Sequence, residues 1–315
     1  MKFNKNLKRL KGDASFRIFF RKKEKKLSSI IVFASKDKKI NLLVYDSINK
    51  ILILNNILAP KLLNENYSKN YIEIEDFGSQ TIFKLLKKKS INKLEIFKKV
   101  IKLLCKIQLI KQRQTKNFKK KKYKIPIYQP KILLAEAKLF SDWYVSKKLI
   151  KSKQLIFKKK FIKIINNLIK KIRLKNNIFV HRDFHVSNLM MVNNKIGVID
   201  SQDALIGNKA YDLASLIDDV RFKTSVDIKK KIFKLYLRSQ KKLNKKNFKN
   251  DFEIISVIRN LKVIGIFTRL AVRDNKRKYL KLIPYAWNLI RLRSKNDKKF
   301  KDLNDLLNIY KNNKI

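Results

Sequence analysis

Between residues 177 and 199 the hydrophobic pattern changes its period, and that change limits what this chain can fold into. Asn177-Ile178-Phe179-Val180 reads as a strand, residues 189–192 and 196–199 read as two more, and Asn193-Asn194 supplies the tight turn between the last two. The sequence on both sides is helical. Residues 133–150 and 155–174 carry apolar side chains at three- and four-residue steps with lysines on the other face, and the pattern returns after Tyr211, most clearly at 254–273 and 278–292. A short hairpin set among long helices points to an α+β chain rather than to an all-helical one.

The N-terminal part has its own strand signals. Residues 16–20 and 27–34 read as strands, a helix is expected from about Asn41, and a further strand around residues 51–54, which together make a small, mostly β lobe. Tyr71-Ile72-Glu73-Ile74-Glu75 alternates strictly before Asp76-Phe77-Gly78, and from Thr81 the pattern turns helical, so a strand runs into a helix through a short hinge. Residues 91–110 read as a helix, and the basic stretch Lys119 to Lys124, closed by Pro126 and Pro130, as a loop suited to a mobile insertion. No internal repeat is evident.

At 315 residues and 45% hydrophobic, the chain can bury the core of one two-lobed domain or two packed domains. Lys and Arg total 79 against 24 Asp and Glu, a formal net charge of +55. Such a balance fits non-specific nucleic-acid binding, but the lysines are spread along the whole chain while Gly (5) and Pro (4) are scarce, as a compositional bias toward A- and T-rich codons would produce. The basic field still attracts an anionic nucleotide or sugar. The single cysteine, Cys105, lies in an apolar stretch and reads as core packing, with no intrachain disulfide available. The N-terminal residues lack an apolar leader segment and no apolar run approaches the ~18 residues of a membrane span, so a cytoplasmic protein is expected.

Phosphoryl transfer needs an aspartate to orient or deprotonate the attacking hydroxyl and oxygen ligands to hold Mg²⁺ on the nucleotide phosphates. His181-Arg182-Asp183-Phe184-His185-Val186-Ser187-Asn188 has Asp183 and Asn188 at the spacing of a kinase catalytic loop, and Asp200 follows at the end of the second hairpin strand, where the second metal ligand belongs. The hairpin brings the three together. Asp183 and Asn188 could instead cap turns, as such residues often do, but the hairpin and Asp200 favour chemistry. His181 and His185, the two histidines of the chain, stand four apart on a strand and loop rather than a helix, so His181 is expected to pack and brace the loop and not to bind zinc.

His-x-Asp-x-His-x-x-Asn followed by Ile199-Asp200 resembles the aminoglycoside phosphotransferase and choline kinase superfamily, bilobal relatives of the protein kinases. Four further segments are similar to the anomeric N-acetylmuramate and N-acetylglucosamine kinases of cell-wall recycling: Gly12 to Arg17, Glu75-Asp76-Phe77-Gly78, Leu139 to Tyr144, and Arg259 to Arg269. The resemblance implies a protein-kinase-like fold, with a β-rich N-lobe over residues 1–76 and a larger helical C-lobe over 77–315. It implies ATP and Mg²⁺ as cofactors, Asp183 as catalytic base, and Asn188 and Asp200 as metal ligands. Gly12, Ser15, Phe16 and Arg17 would cover the nucleotide phosphates, and the hinge at Glu75 and Phe77 would hold adenine through its backbone. Taken alone, Gly12 and Ser15 suit a tight turn and Arg17 supplies charge, which is a weak signal. Glu136, Trp143, Asp203 and Arg259 are candidates for the acceptor, since an aromatic ring with charged groups suits a sugar. Core packing of Trp143 and surface pairing of the arginine are equally open.

Two positions depart from the family pattern. Residues 30–34, the strand that in kinases carries the phosphate-gripping lysine, contain none; Lys36 and Lys38 follow it, and Arg17 or Arg21 is expected to substitute. After Asp200 stands Ser201, where these enzymes carry phenylalanine, which alters packing and not metal ligation. Asp212, ahead of an apolar run, is expected to cap or brace its loop. The expected function is phosphorylation of a hydroxyl on a small molecule, an amino sugar at its anomeric position. The alternatives are an aminoglycoside- or choline-like acceptor, which the basic C-terminal half disfavours, and a nucleic-acid-binding protein with a degenerate kinase fold.

Overall fold

The structure, a computed structural model, describes residues 7–10, 17–24 and 27–311, with side chains described as far as residue 308. Contacts divide the chain into two compact units, Met1–Pro126 with Ile178–Ile206, and Ile127–Asn177 with Gly207–Ile315.

In the first unit, strands β1 (Leu7–Arg9), β2 (Ile18–Glu24), β3 (Leu27–Phe33), β4 (Leu62–Asn66) and β5 (Tyr71–Glu75) form an antiparallel sheet in the order β1-β2-β3-β5-β4. The register opposes Ile30 to Ile74 and Val32 to Ile72. All four therefore face one way, as a period of two requires. Helix α1 (Ile40–Leu54) covers that face, and Leu42 and Tyr45 complete the core with Ala34. The strand expected at residues 51–54 is instead the last turn of α1. A short apolar run has no period that separates helix from strand; here Ile51 and Leu52 are buried by continuing the helix, which stops where Asn56 turns left-handed at φ 58°.

Beyond β5 the chain turns at Gly78, φ 77°, into α2 (Ile82–Leu86), whose first turn is capped by Thr81, and α3 (Lys93–Gln108), capped by Asn92. The basic segment expected as a mobile loop is the turn and second strand of a hairpin, β6 (Gln114–Lys116) with β7 (Lys122–Lys124). Its turn is tied down: the buried Asp46 carboxylate of α1 accepts the Phe118 amide at 2.7 Å. Strand β8 (Asn176–Val180) precedes the hairpin of β9 (Leu189–Val192) and β10 (Lys195–Val198), whose turn residues Asn193 and Asn194 have φ of 45° and 61°. Asparagine tolerates that geometry, which two-residue hairpins favour. Strand β8 pairs with β11 (Leu205–Asn208), and the division between the units falls inside both strands.

The second unit is helical: α4 (Pro130–Leu139), α5 (Lys151–Lys170), α6 (Tyr211–Ile217), α7 (Val226–Arg238), α8 (Lys245–Val272), α9 (Ile283–Ser294) and α10 (Lys301–Lys311). The single helix expected over 133–150 is broken after Leu139 by a π-helical turn, Phe140–Tyr144. The cause is a close crossing. A Cβ on Gly265 of α8 would stand 2.3 Å from the carbonyl carbon and oxygen of Leu139. Phe140 then packs against Phe161 and Trp287, each with a ring-centre distance of 5.6 Å. Among the described residues no helix is long and apolar enough to cross a membrane.

Gly265→Ala would gain about 1 kcal/mol of helix propensity, but the clashing atoms are backbone and cannot swing aside. Overpacking of that kind costs about 1–3 kcal/mol or more. The variant should be destabilised by about 1–2 kcal/mol in urea denaturation; an unchanged or higher midpoint would refute the crossing.

Candidate active site

The loop after β8 is wound tightly around the backbone of Asp183. Arg182 adopts φ 78°, a left-handed conformation that costs a non-glycine residue energy and persists only where its surroundings impose it. The imposing contacts are local: the Asp183 carbonyl accepts the His185 amide at 3.0 Å and the Asn188 Nδ2 at 3.1 Å, and the Asn188 amide donates to the His185 carbonyl at 2.9 Å. His181 is fully buried, with its Nε2 3.2 Å from the Ile199 carbonyl and its ring edge-on to Phe184. It braces the loop, as expected. The Ile199 amide donates to the Asn188 carbonyl at 3.0 Å, which sets Asn188 beside the residue preceding Asp200.

Asp200 also has a left-handed backbone, φ 64°. Its Oδ1 lies 2.7 Å from Nη2 of Arg17, and 34% of its side-chain surface stays open although protein atoms surround it densely. That burial raises its pKa above the usual carboxylate range; Arg17 opposes the rise, and the nearby charges of Asp183 and Asp203 add to it. Three carboxylates thus share one region with one guanidinium. Among the described residues no group of three or more His, Cys, Asp and Glu is arranged as a metal cage. Mg²⁺ needs none, since it takes one or two protein carboxylates beside water and substrate phosphates. The donors present are hard oxygens that suit it. Asn188 commits its Nδ2 to the Asp183 carbonyl, so that Oδ1 is the atom of this side chain that could hold a metal.

The structure separates the two arginines expected to replace the strand lysine. Arg21 grips the hinge: its Nε and Nη2 lie 2.6 and 2.9 Å from the two oxygens of Asp76, and Nη2 also donates to the Gly78 carbonyl at 2.7 Å. Arg17 meets Asp200, its guanidinium packed 5.7 Å from the ring centre of Phe19 and 5.8 Å from that of Tyr45. Lys36 and Lys38 stand exposed in a 3₁₀ turn after β3. Gly12, Ser15 and Phe16 lie outside the described residues. At the hinge, Glu75 donates its amide to the Lys61 carbonyl at 2.9 Å, and Phe77 is buried against Gly197, where a Cβ would come within 2.7 Å of its ring. Asp203 is exposed and accepts the Gln202 Nε2 at 2.9 Å.

The remaining acceptor candidates belong to the second unit. Glu136 is 5% exposed and accepts Tyr128 Oη at 2.5 Å, Tyr211 Oη at 3.1 Å and Lys262 Nζ at 2.9 Å. Arg259, also buried, donates to Ser215 Oγ at 2.7 Å and covers the Tyr211 ring at 4.8 Å. The two are therefore joined through Tyr211, while Trp143 is half-buried in the π-helical turn. Asp212 does not cap α6, because Ala210 occupies that position; it sits fully buried in the first helical turn.

Two residues at the site escape a reading by motif. Tyr45 and Asn49 of α1 stand at the Asp200-Ser201 segment: the pKa of the Tyr45 phenol is pushed up to about 12 by burial, its ring centre lies 5.8 Å from the Arg17 guanidinium, and Asn49 Oδ1 accepts Ser201 Oγ at 2.6 Å. Their signal in the sequence was slight, a Tyr and an Asn four apart in a run of Ile, Leu and Val.

A family model described as the phosphotransferase enzyme family matches residues 6–242, and the chain belongs to that family. It is 28% identical over 291 residues to an N-acetylmuramate/N-acetylglucosamine kinase of Neisseria meningitidis, covering 89% of this chain and 83% of that one. A protein of the same name from Pseudomonas aeruginosa is 26% identical, with 87% and 79% covered. Among solved structures, a spectinomycin phosphotransferase in complex with ADP and spectinomycin superposes with a TM-score of 0.58 at 16% identity, over 91% of this chain and 92% of that one. The fold is thus that of this phosphotransferase family, β-rich toward the N-terminus and helical toward the C-terminus.

Burial opposes ionisation of Asp76, but Arg21, the Gly78 amide and Ser28 outweigh it and hold its pKa below the usual carboxylate value. With the folded pKa lowered, the stabilisation is complete above the unfolded value and fades as pH falls through the folded one. Asp76→Asn should cost about 1–3 kcal/mol at pH 7, with the difference from wild type shrinking below about pH 4. A pH-independent difference in denaturation midpoint would reject this account.

Proposed function

We propose that this protein is an ATP- and Mg²⁺-dependent kinase that phosphorylates the anomeric hydroxyl of an amino sugar, N-acetylmuramate or N-acetylglucosamine. The observation that carries the chemistry is the closed loop in which Asn188 Nδ2 holds the Asp183 carbonyl beside Asp200. The acceptor is supported by the names of the relatives that match along most of the chain. In this reading residues 1–76 cover the nucleotide and 77–315 supply the catalytic loop, the metal ligands and the acceptor pocket, in the cytoplasm, where ATP is at hand.

Asp183 accepts the proton of the sugar hydroxyl as its oxygen attacks the γ-phosphorus, and ADP leaves. Asn188 Oδ1 and Asp200 would hold Mg²⁺, which would neutralise the phosphate charge. Arg17 carries the positive charge that kinases draw from a strand lysine, with Gly12, Ser15 and Phe16 in the covering loop and Glu75 and Phe77 at the adenine. Glu136, Trp143, Asp203 and Arg259 serve the acceptor, Glu136 and Arg259 by keeping Tyr211 in place. The strongly basic surface suits an anionic or neutral sugar and repels a polycation.

A panel of N-acetylmuramate, N-acetylglucosamine, choline and kanamycin with ATP should show turnover of the first two. Asp183→Asn should lower that turnover by about 10²- to 10⁴-fold with an unchanged circular dichroism spectrum. Turnover of choline or kanamycin alone would reassign the acceptor. No turnover of any, together with steeply salt-dependent binding to random duplex DNA, would favour the nucleic-acid reading.

A further inference from the structure

Asp200 needs more than its own loop to hold a left-handed backbone at a site where a ligand oxygen must stand in one place. The residue after it is fully buried yet hydrophilic: Ser201 donates its hydroxyl to Asn49 Oδ1 at 2.6 Å. Asn49, itself 3% exposed, donates Nδ2 to the Pro60 carbonyl at 3.0 Å. That carbonyl can only accept, so it dictates which way the amide faces. Nδ2 must point at Pro60 and Oδ1 at Ser201, and the Ser201 hydroxyl must therefore be the donor. Flipping the amide would set two acceptors against each other in a buried place. One turn before Asn49 on the same face of α1, Tyr45 packs against Arg17, the other partner of the Asp200 ion pair.

These contacts run without a gap from Asp200 through Ser201 and Asn49 to Pro60. The next residue, Lys61, accepts the Glu75 amide at 2.9 Å, at the hinge. We propose that Asn49 is the positioning residue for Asp200: through Ser201 it locks the ligand carboxylate to α1 with a directional hydrogen bond. A hydrogen bond fixes distance and direction, whereas an apolar contact would leave the segment free to slide. The inference rests on the reading of Asp200 as a metal ligand.

The test measures divalent-ion binding apart from turnover. For Ser201→Ala, Asn49→Ala and the double variant, Mn²⁺ binding to the protein with ADP is titrated by calorimetry, beside metal-free ADP binding and thermal stability. Ser201→Ala should weaken Mn²⁺ binding about tenfold, as loss of a group behind a metal ligand does, and raise the Mg²⁺ concentration for half-maximal turnover to match. Affinity for metal-free ADP should change by less than about twofold, and the double variant should lose no more than the worse single one, because the two side chains act as one unit. If Ser201→Ala lowers the melting temperature but binds Mn²⁺ as wild type does, the contact is merely structural and the proposal fails. It fails equally if metal-free ADP and Mn²⁺ binding weaken in proportion. Should Asn49→Ala not fold, Ser201→Ala decides between the same outcomes. Wild-type protein that binds ADP but no Mn²⁺ would instead overturn the reading of Asp200 itself.

Discussion

The packing of α1 against one face of the five-stranded sheet is the contact on which the site depends. Ile30, Val32, Ile72 and Ile74 present a continuous apolar surface because the strand register places them there, and Leu42 and Tyr45 seat the helix on it. Once seated, α1 has no freedom to turn, since Leu42, Ile48, Ile51 and Leu52 are all fully buried. Its polar side chains are then aimed by apolar packing: Asp46 to the hairpin turn at Phe118, Asn49 to Pro60 and Ser201, Tyr45 to the Arg17 guanidinium. Hydrophobic burial supplies the energy and the buried hydrogen bonds supply the direction.

Charge in this protein is unevenly used. Lysines dominate the surface, and among the described residues Lys229 is the one that is buried. The far fewer carboxylates do much of the internal work. Asp251 accepts the amides of Arg173 and Leu174 and the Asn208 side chain, each at 2.8 Å. Asp218 is held ionised against its burial by Arg293 and Lys229, and Glu136 gathers three donors. Any excess of lysine on solvated faces costs the fold little, whereas each of these acids stands where an amide or a cation would otherwise be buried unpaired. That contrast agrees with a lysine content set by composition more than by a partner.

Legibility followed the range of the interactions. The β9–β10 hairpin could be read because its two asparagines carry the turn geometry themselves, and the alternation of residues 71–75 gave β5 because one face of that strand is buried and the other is not. Residues 51–54 misled because an unbroken apolar run of four has no period, and residues 133–150 because the π-helical turn answers to Gly265 on another helix. The hairpin of β6 and β7 was hidden under lysines, its anchor being an aspartate far earlier in the chain.

At the site the same division holds. Sequence alone determined the grouping of Asp183, Asn188 and Asp200, because a short loop and a tight hairpin bring them together through contacts between near neighbours. Tertiary structure decided which arginine faces Asp200 and which grips the hinge. It also decided that Ser201 is held by Asn49. The first of those contacts joins residues 183 apart and the second residues 152 apart. Partners at such separations are chosen by the packing of α1 on the sheet, and no local period or spacing carries that information.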